Sequence, residues 1–431
     1  MFGATSLRPL RHRNFALLWS ASLVSNIGTW MEIVAIGSLL AKDTGRARDL
    51  GILAAAGFLP TAIFAPLGGA ISDRVPRKAF LIATLGFDTA LAIVLAVVLG
   101  TGRWTPGLLW AIVFVEGCSG ALSLPNRQAL MPELVPAEDL SAAVGLGSIS
   151  WNGGRVVGPL LGGVVIAAFG TTWAVVANAA SFVAMLVAVL FIQLPDRPLA
   201  RAIGGVIAQL KVAAHHVRTR PRSRFAIASI IALAATAGPF IGMLPIVAHN
   251  VFYGGAGTTS IFVTAQGIGA IAGALYVPKL GQRVGRERAL LVGFGVLVPG
   301  LLLYARAPNT AVAAVALVAV GGGYFCAIVS GQALLQMDAP SELRARVMAL
   351  FSVAIGLPYV VAVTAHGYLA DARGLRESHL VMAALTVLAL AALSRMLRHH
   401  PADVARSAAD AADAADAAVD PTAVAVGFEG D

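Results

Sequence analysis

Residues 145–163 read GLGSISWNGGRVVGPLLGG, a glycine-rich run inside an apolar stretch. On an α-helix, Gly154, Gly158 and Gly162 share one narrow face, because residues four apart are neighbours. Residues without side chains let a second helix approach the backbone closely, as small-residue faces do in lipid. The run therefore predicts a membrane helix that packs tightly against another helix through its glycine face.

Arg155 lies at the edge of this glycine face, four residues before Pro159. Proline lacks an N–H, so Pro159 frees the carbonyl of Arg155 from its helical hydrogen bond and kinks the helix. A guanidinium within an apolar span is costly unless it is paired or hydrated, which makes Arg155 a functional candidate. The alternative is a packing face with an arginine that neighbouring groups neutralise for structural reasons only.

The composition is that of an integral membrane protein. Of 431 residues, 58% are hydrophobic and 12% charged, with a mean hydropathy of +0.81, whereas soluble domains carry about 25% charged residues. The net charge of +9 comes from basic residues in short segments between apolar runs. We therefore predict that it sets membrane topology and does not bind nucleic acid. Cys118 and Cys326 lie in apolar runs without metal-ligating neighbours, so no metal site is predicted.

The chain is predicted to be all-α, with twelve apolar runs close to the ~20 residues that cross a bilayer. Their approximate limits are 14–40, 50–72, 79–100, 106–131, 141–169, 172–193, 225–247, 257–279, 289–306, 311–336, 345–370 and 379–397.

Basic residues orient these spans. If the chain begins in the cytoplasm, 23 of the 31 Lys and Arg residues fall in cytoplasmic segments and seven fall outside, with Arg155 within the membrane. The positive-inside rule then places both termini in the cytoplasm. We expect a multi-pass protein of a bacterial inner membrane.

The spans divide into two six-helix bundles, residues 1–193 and 225–397, joined by a basic cytoplasmic linker at 194–224. The middle of the linker, 203–217, fits either an amphipathic helix on the membrane surface or a solvated connector. Residues 398–431 are Ala/Asp-rich and are predicted to be a disordered acidic tail.

The two bundles resemble each other. The run DRVPR at 73–77 corresponds to QRVGR at 282–286, and PAE at 136–138 to PSE at 340–342. Parallel six-helix repeats of this kind are how many secondary transporters are built.

Several motifs together carry a family resemblance. Residues 69–78, GAISDRVPRK, resemble the loop signature G-x-x-x-D-R-x-G-R-K of the major facilitator superfamily, with Pro76 in place of its second glycine. Residues 125–130, PNRQAL, with 134–136, LVP, resemble the exporter branch that includes siderophore (enterobactin) and macrolide efflux proteins. The opening run is similar to the superfamily's fifth-helix antiporter signature. Its matching residues are Gly145, Gly154, Gly158, Pro159, Gly162 and Gly163.

The loop motif predicts a conformational latch. An aspartate at a helix end can pair with arginine and accept from the next helix's amides, in a contact that breaks and reforms. The alternative is positive-inside anchoring alone. The candidate latch residues are Gly69, Asp73, Arg74 and Arg77.

Three intramembrane carboxyl groups are candidate proton-coupling sites: Glu116, Glu32 and Asp88. The resemblance implies that spans one, four, seven and ten line a cavity, which favours Glu32 and Glu116 over Asp88. Each carboxyl group could instead be a hydrogen-bonded structural group. Arg155 is expected to pair with Glu116 at a similar depth, or with an anionic substrate.

The sequence thus predicts a monomeric secondary transporter that exports an amphipathic small molecule, drug or siderophore, by alternating access. A proton gradient is its expected driving force, with no cofactor. An importer of a small organic solute is the alternative. A membrane-embedded enzyme is disfavoured because the spans contain no HExxH or GxSxG motif.

Overall fold

The computed structural model describes residues 4–72, 75–193 and 206–398, and every regular element in these ranges is a helix. Two are short 3₁₀ helices, Ala4–Arg11 and Ala137–Asp139. The α-helices are α1 (Arg13–Thr44), α2 (Ala47–Ser72), α3 (Arg77–Gly100), α4 (Pro106–Glu133), α5 (Leu140–Phe169), α6 (Thr171–Phe191), α7 (Val206–Thr219), α8 (Pro221–Thr236), α9 (Phe240–Asn250), α10 (Ala256–Val284), α11 (Arg286–Ala305), α12 (Thr310–Asp338), α13 (Arg344–Arg373) and α14 (Leu375–Arg398).

Twelve segments of the described chain are long and apolar enough to span a membrane, which confirms the all-α membrane fold. The seventh span differs from the single helix predicted over 225–247. It consists of α8 and α9, which are separated at Gly238 and Pro239. Pro239 cannot donate a backbone hydrogen bond, so the helix that ends at Thr236 does not continue through it, and a new helix starts at Phe240.

The two six-helix halves repeat the same helix pairings. In the first half, α1 packs on α5 and α6, α2 on α4, and α3 on α6. The corresponding pairs of the second half are α8 with α13 and α14, α10 with α12, and α11 with α14. The last two spans of each half are joined at Gly170 and Gly374, whose φ angles are 91° and 93°. Such angles favour glycine, so the sharp turn is duplicated together with the helices.

The glycine face of α5 packs directly on α1. A methyl group added at Gly158 would lie 2.6 Å from Cβ of Trp30 and 2.7 Å from the carbonyl oxygen of Ile27. At Gly154 and Gly162 it would lie 2.7 Å from Cβ of Asn26 and 3.1 Å from Cα of Met31. Real Cβ atoms essentially never approach within 3.0 Å, so a side chain at Gly154 or Gly158 requires a shift of α1; at Gly162, Met31 would have to move by a few tenths of an ångström.

The remaining residues of the signature, Gly163, Pro159 and Gly145, lie at other positions on α5. Gly163 faces the second half, where an added Cβ would lie 2.5 Å from Oγ of Ser260. Pro159 is buried within α5. Gly145 is not in the α1 contact, since nothing lies within 4 Å of the position of its missing Cβ. It lies nine residues before Gly154, and at about 100° per residue this is the opposite side of the helix.

The halves meet mainly along two pairs of spans, α2 with α13 and α5 with α10, with further contacts of α9 against α1 and α2. The terminal side of the bundle is the one where α1 begins and α14 ends; the far side is the opposite one. Near the far side, Gly51 and Gly367 contact the backbone of Val363 and Arg48 across the interface. The contact continues past mid-span to Gly356, which packs on Ala62. The described contacts therefore join the halves from the far side to just beyond the middle of the membrane.

Part of the predicted linker is helical. In α7, Ala213, His216 and Val217 are buried, while Lys211 is exposed, and the helix packs on α8 and α13. The linker residues before α7 and the predicted acidic tail after α14 lie outside the described residues.

We predict that Gly158→Ala lowers the stability and transport of the protein, because the new methyl group overlaps α1; overpacking costs about 1–3 kcal/mol. Gly145→Ala is the matched control. It adds a methyl group to the same helix in open space, where replacing glycine stabilises a helix by roughly 0.5–1 kcal/mol. Thermal unfolding of both purified variants measures the difference. Equal melting temperatures would contradict the α1–α5 contact.

Candidate functional site

Two carboxyl groups lie side by side inside the first half. Glu32 of α1 and Glu116 of α4 are close enough for their charges to interact. Nδ2 of Asn178 on α6 donates to Oε2 of Glu32 at 2.9 Å. Glu32 is 5% exposed, and one oxygen of Glu116 is buried without a hydrogen-bond partner. Two neighbouring negative charges within an apolar bundle strongly disfavour each other. The pair of carboxyl groups is therefore chemically suited to hold a proton.

Asp88 of α3 extends this acidic cluster. Its charge interacts with both glutamates, and its polar neighbours are Ser119 and Arg127 of α4. Arg127 is the nearby cation that balances Asp88. All three predicted carboxyl groups therefore lie in one cluster, with Asp88 on the side of Arg127.

Arg155 lies on the other side of α1, at the seam between the halves. It is 5% exposed, and its Nη2 donates to Oε1 of Gln266 on α10 at 2.6 Å. Its guanidinium carbon is 5.3 Å from the ring centre of Trp30 and 4.4 Å from that of Phe325. Neutral and aromatic groups thus surround this buried charge.

The expected pair of Arg155 with Glu116 is not formed in this conformation. Glu116 has Glu32 and Asp88 as its charged neighbours, and Arg155 binds Gln266. Trp30 and Glu32 are two residues apart, so they point to nearly opposite sides of α1. This helix accordingly separates the acidic cluster from Arg155.

The predicted latch is only partly described. Asp73 and Arg74 lie outside the described residues, and Gly69 lies within α2. Arg77 forms an ion pair with Glu133. In addition, Nδ2 of Asn126 donates to the carbonyl oxygen of Arg77 at 2.9 Å. These contacts tie the start of α3 to α4 of the same half.

A contact between the halves lies on the far side. Asp371, at the end of α13, accepts from the amides of Ala47 and Arg48 in the first turn of α2, at 2.6 and 3.2 Å. A carboxylate at a helix N-terminus satisfies amides that have no helical partner and interacts favourably with the helix dipole. Asp371 therefore caps a helix of the opposite half and holds the far side closed.

The second half contains a buried histidine pair near the far side. The rings of His366 and His379 are 5.0 Å apart, and His379 packs edge-on against Tyr304 at 5.4 Å. Nδ1 of His379 bonds to the carbonyl oxygen of Leu375 at 2.6 Å.

Sequence reasoning missed Gln266, Asn178 and Asp371. Gln266 and Asn178 are single amides within otherwise apolar spans, and the cost of burying an amide could have indicated that each has a polar partner. No comparable signal marks Asp371, whose partners lie more than 320 residues away.

The sequence is similar to those of known membrane transporters. The sequence profile of the family described as "Transmembrane secretion effector" matches residues 4–427. The "Multidrug efflux pump Tap" of Mycolicibacterium fortuitum is 24% identical over 380 residues, which are 85% of this chain and 91% of that protein. The "Staphyloferrin A transporter" of Staphylococcus aureus is 23% identical over 292 residues, 66% and 73% of the two chains. The match to the MFS-type transporter YfiS of Bacillus subtilis is 28% identical but spans only 41% of each chain.

The fold also matches a solved structure. The nucleoside transporter NupG superimposes with a TM-score of 0.70 at 15% identity, over 89% of this chain and 99% of that one. At this identity the likeness supports the fold alone.

We predict that Asp371→Ala favours opening of the far side. The loss of a helix cap costs about 1 kcal/mol, which is a roughly fivefold change in an equilibrium. In a background without Cys118 and Cys326, Thr264→Cys reports the opening, because Thr264 is 7% exposed and its Oγ1 contacts the carbonyl of Val156 across the seam. An impermeant maleimide applied to the far side should label Thr264→Cys several-fold faster in the Asp371→Ala variant.

Asp43→Ala is the control, since Asp43 is an exposed aspartate of the same side. If Asp43→Ala raises the labelling rate of Thr264→Cys as much as Asp371→Ala does, the increase comes from the loss of a negative charge and not from the loss of the helix cap. Unchanged labelling in Asp371→Ala would mean that this cap does not hold the halves together.

Proposed function

Because the chain belongs to the transmembrane secretion effector family of the major facilitator superfamily, and is therefore a transporter and not an enzyme, we propose that it exports an amphipathic small molecule in exchange for protons. One relative is named a multidrug efflux pump, which supports this direction, and another is named a staphyloferrin A transporter, which supports a small-molecule substrate.

The single observation that carries the proposal is the contact between Glu32 and Glu116. Two neighbouring carboxyl groups retain one proton between them, since the doubly charged state is strongly unfavourable in an apolar bundle. Asn178 donates to Glu32 and fixes one carboxyl group of the pair. No metal or organic cofactor is needed for this coupling.

Alternating access follows from the pairing of the two halves. The described contacts hold the far side closed, through the α2–α13 and α5–α10 seams and the Asp371 cap. In the proposed cycle, this conformation gives access from the terminal side. Breaking the far-side contacts while the terminal sides approach would expose the site to the far side. The 69–78 motif would serve as the latch of that second state.

The excess of basic residues on the terminal side supports a cytoplasmic location of both termini. We place the protein as a monomer in a bacterial inner membrane, with the far side facing outward. The described conformation is then the one that loads substrate from the cytoplasm.

Everted membrane vesicles test the proposal, with a substrate found by screening compounds in a strain that lacks its own exporters. We expect accumulation of the substrate to depend on an acidic vesicle interior. Glu32→Gln and Glu116→Gln should each reduce accumulation at least tenfold. The double variant should accumulate as much substrate as either single variant, because the effects of substitutions within one site do not add.

Glu377→Gln is the matched control, because Glu377 is an exposed glutamate at the start of α14. Accumulation without a pH gradient, or full activity of both Glu variants, would contradict proton coupling. Gradient-driven uptake confined to right-side-out vesicles would instead identify an importer.

A further inference from the structure

Arg155 and Gln266 leave hydrogen-bonding capacity unused at the seam between the halves. Apart from the bond between them, Nε of Arg155 and Nε2 of Gln266 are both buried without a partner. Gln266 is 1% exposed. Both free groups are donors, so the seam lacks an acceptor.

The charge of Arg155 is likewise unbalanced. No carboxylate lies within ion-pairing distance of it among the described residues. Burying an unpaired guanidinium is costly, and the described groups that offset this cost include one amide oxygen and two aromatic faces. A bound anion would remove this cost.

The backbones of Arg155 on α5 and of Gln266 on α10 are closely packed by neighbouring glycines. An added Cβ at Gly321 of α12 would lie 2.1 Å from the carbonyl oxygen of Gln266, and one at Gly267 would lie 3.4 Å from the carbonyl oxygen of Arg155. The backbone segments that carry the two donors are therefore closely packed before a ligand arrives, which lowers the entropic cost of binding.

Aromatic rings line the approach to these donors. Trp151 precedes Arg155 by one helical turn and lies on the same face of α5. It packs edge-on against Trp30 at 6.4 Å and is 47% exposed. Trp30 and Phe325, which cover the guanidinium, are also partly exposed. These rings offer flat apolar surface beside a site that needs an anion.

We propose that Arg155 and Gln266 bind the carboxylate of an amphipathic aromatic acid, whose ring system packs on Trp30 and Trp151. One carboxylate can accept from Nε and a terminal nitrogen of Arg155 and from Nε2 of Gln266. This inference rests on the proposed function and assigns the exporter's substrate class.

Binding to the purified full-length protein tests this without a gradient. The probes are 2-naphthoate, its neutral amide 2-naphthamide, and dodecanoate as a lipid-like carboxylate, each measured by titration calorimetry in nanodiscs. We expect 2-naphthoate to bind at least tenfold more tightly than the other two. Equal binding of the naphthoate and the amide would overturn the anion site, and preferred binding of dodecanoate would overturn the aromatic acid in favour of a lipid.

Two variants locate the site. Arg155→Gln should weaken naphthoate binding at least tenfold and leave naphthamide binding unchanged, whereas Arg306→Gln, which removes an exposed far-side arginine, should change neither. Gln266→Glu supplies Arg155 with an internal carboxylate of the same shape, so it should fold and lose naphthoate binding. If Arg155→Gln does not fold, the Gln266→Glu variant alone tests whether the carboxylate binds here. Retained naphthoate affinity in Gln266→Glu would overturn the proposal.

The two proposals fail separately. Naphthoate binding that needs Arg155, without gradient-driven transport of any substrate, would leave this site standing and refute the proton-coupled exporter. Gradient-driven export of neutral compounds, without naphthoate binding, would do the reverse.

Discussion

The close contact between α1 and α5 is the constraint on which the candidate site depends. Gly154, Gly158 and Gly162 bring the α5 backbone against α1 between Asn26 and Met31. Dispersion and close packing stabilise such a contact in lipid, where hydrophobic association is weak. Because the α5 backbone lies directly against α1, a displacement of α1 is expected to displace α5 as well.

This contact places α1 between two chemically opposite sites. On one side Glu32 meets Glu116, and on the other Trp30 covers Arg155. A proton change in the acidic pair can therefore reach the arginine through the position of one helix, without a direct ion pair. The Arg155–Gln266 bond then passes the displacement to the second half. Coupling through packed helices requires two discrete arrangements. In the proposed cycle these are the open and closed states of the α2–α13 and α5–α10 seams.

Much of the fold could be predicted because the bilayer imposes span length and hydropathy on each helix. The spacing of Gly154, Gly158 and Gly162 also predicted their contact face, although its partner, α1, was not specified. Gly145 matches the signature but lies on the opposite side of α5 from the α1 contact, because a motif match does not fix the helical phase of each residue. Residue counting gave the similar depths of Glu116 and Arg155 but not their directions around the bundle axis. Only tertiary packing shows that α1 separates them and that Gln266 meets Arg155.

The central claim is that protonation of the Glu32–Glu116 pair controls closure of the far side through α1. Double electron–electron resonance tests it directly, with spin labels at Lys42→Cys and Ala372→Cys, exposed positions in opposite halves, after replacement of Cys118 and Cys326. The account predicts that the distance distribution changes with pH in the otherwise unaltered protein and becomes independent of pH in the Glu32→Gln/Glu116→Gln variant. The same pH response in that variant would contradict the account.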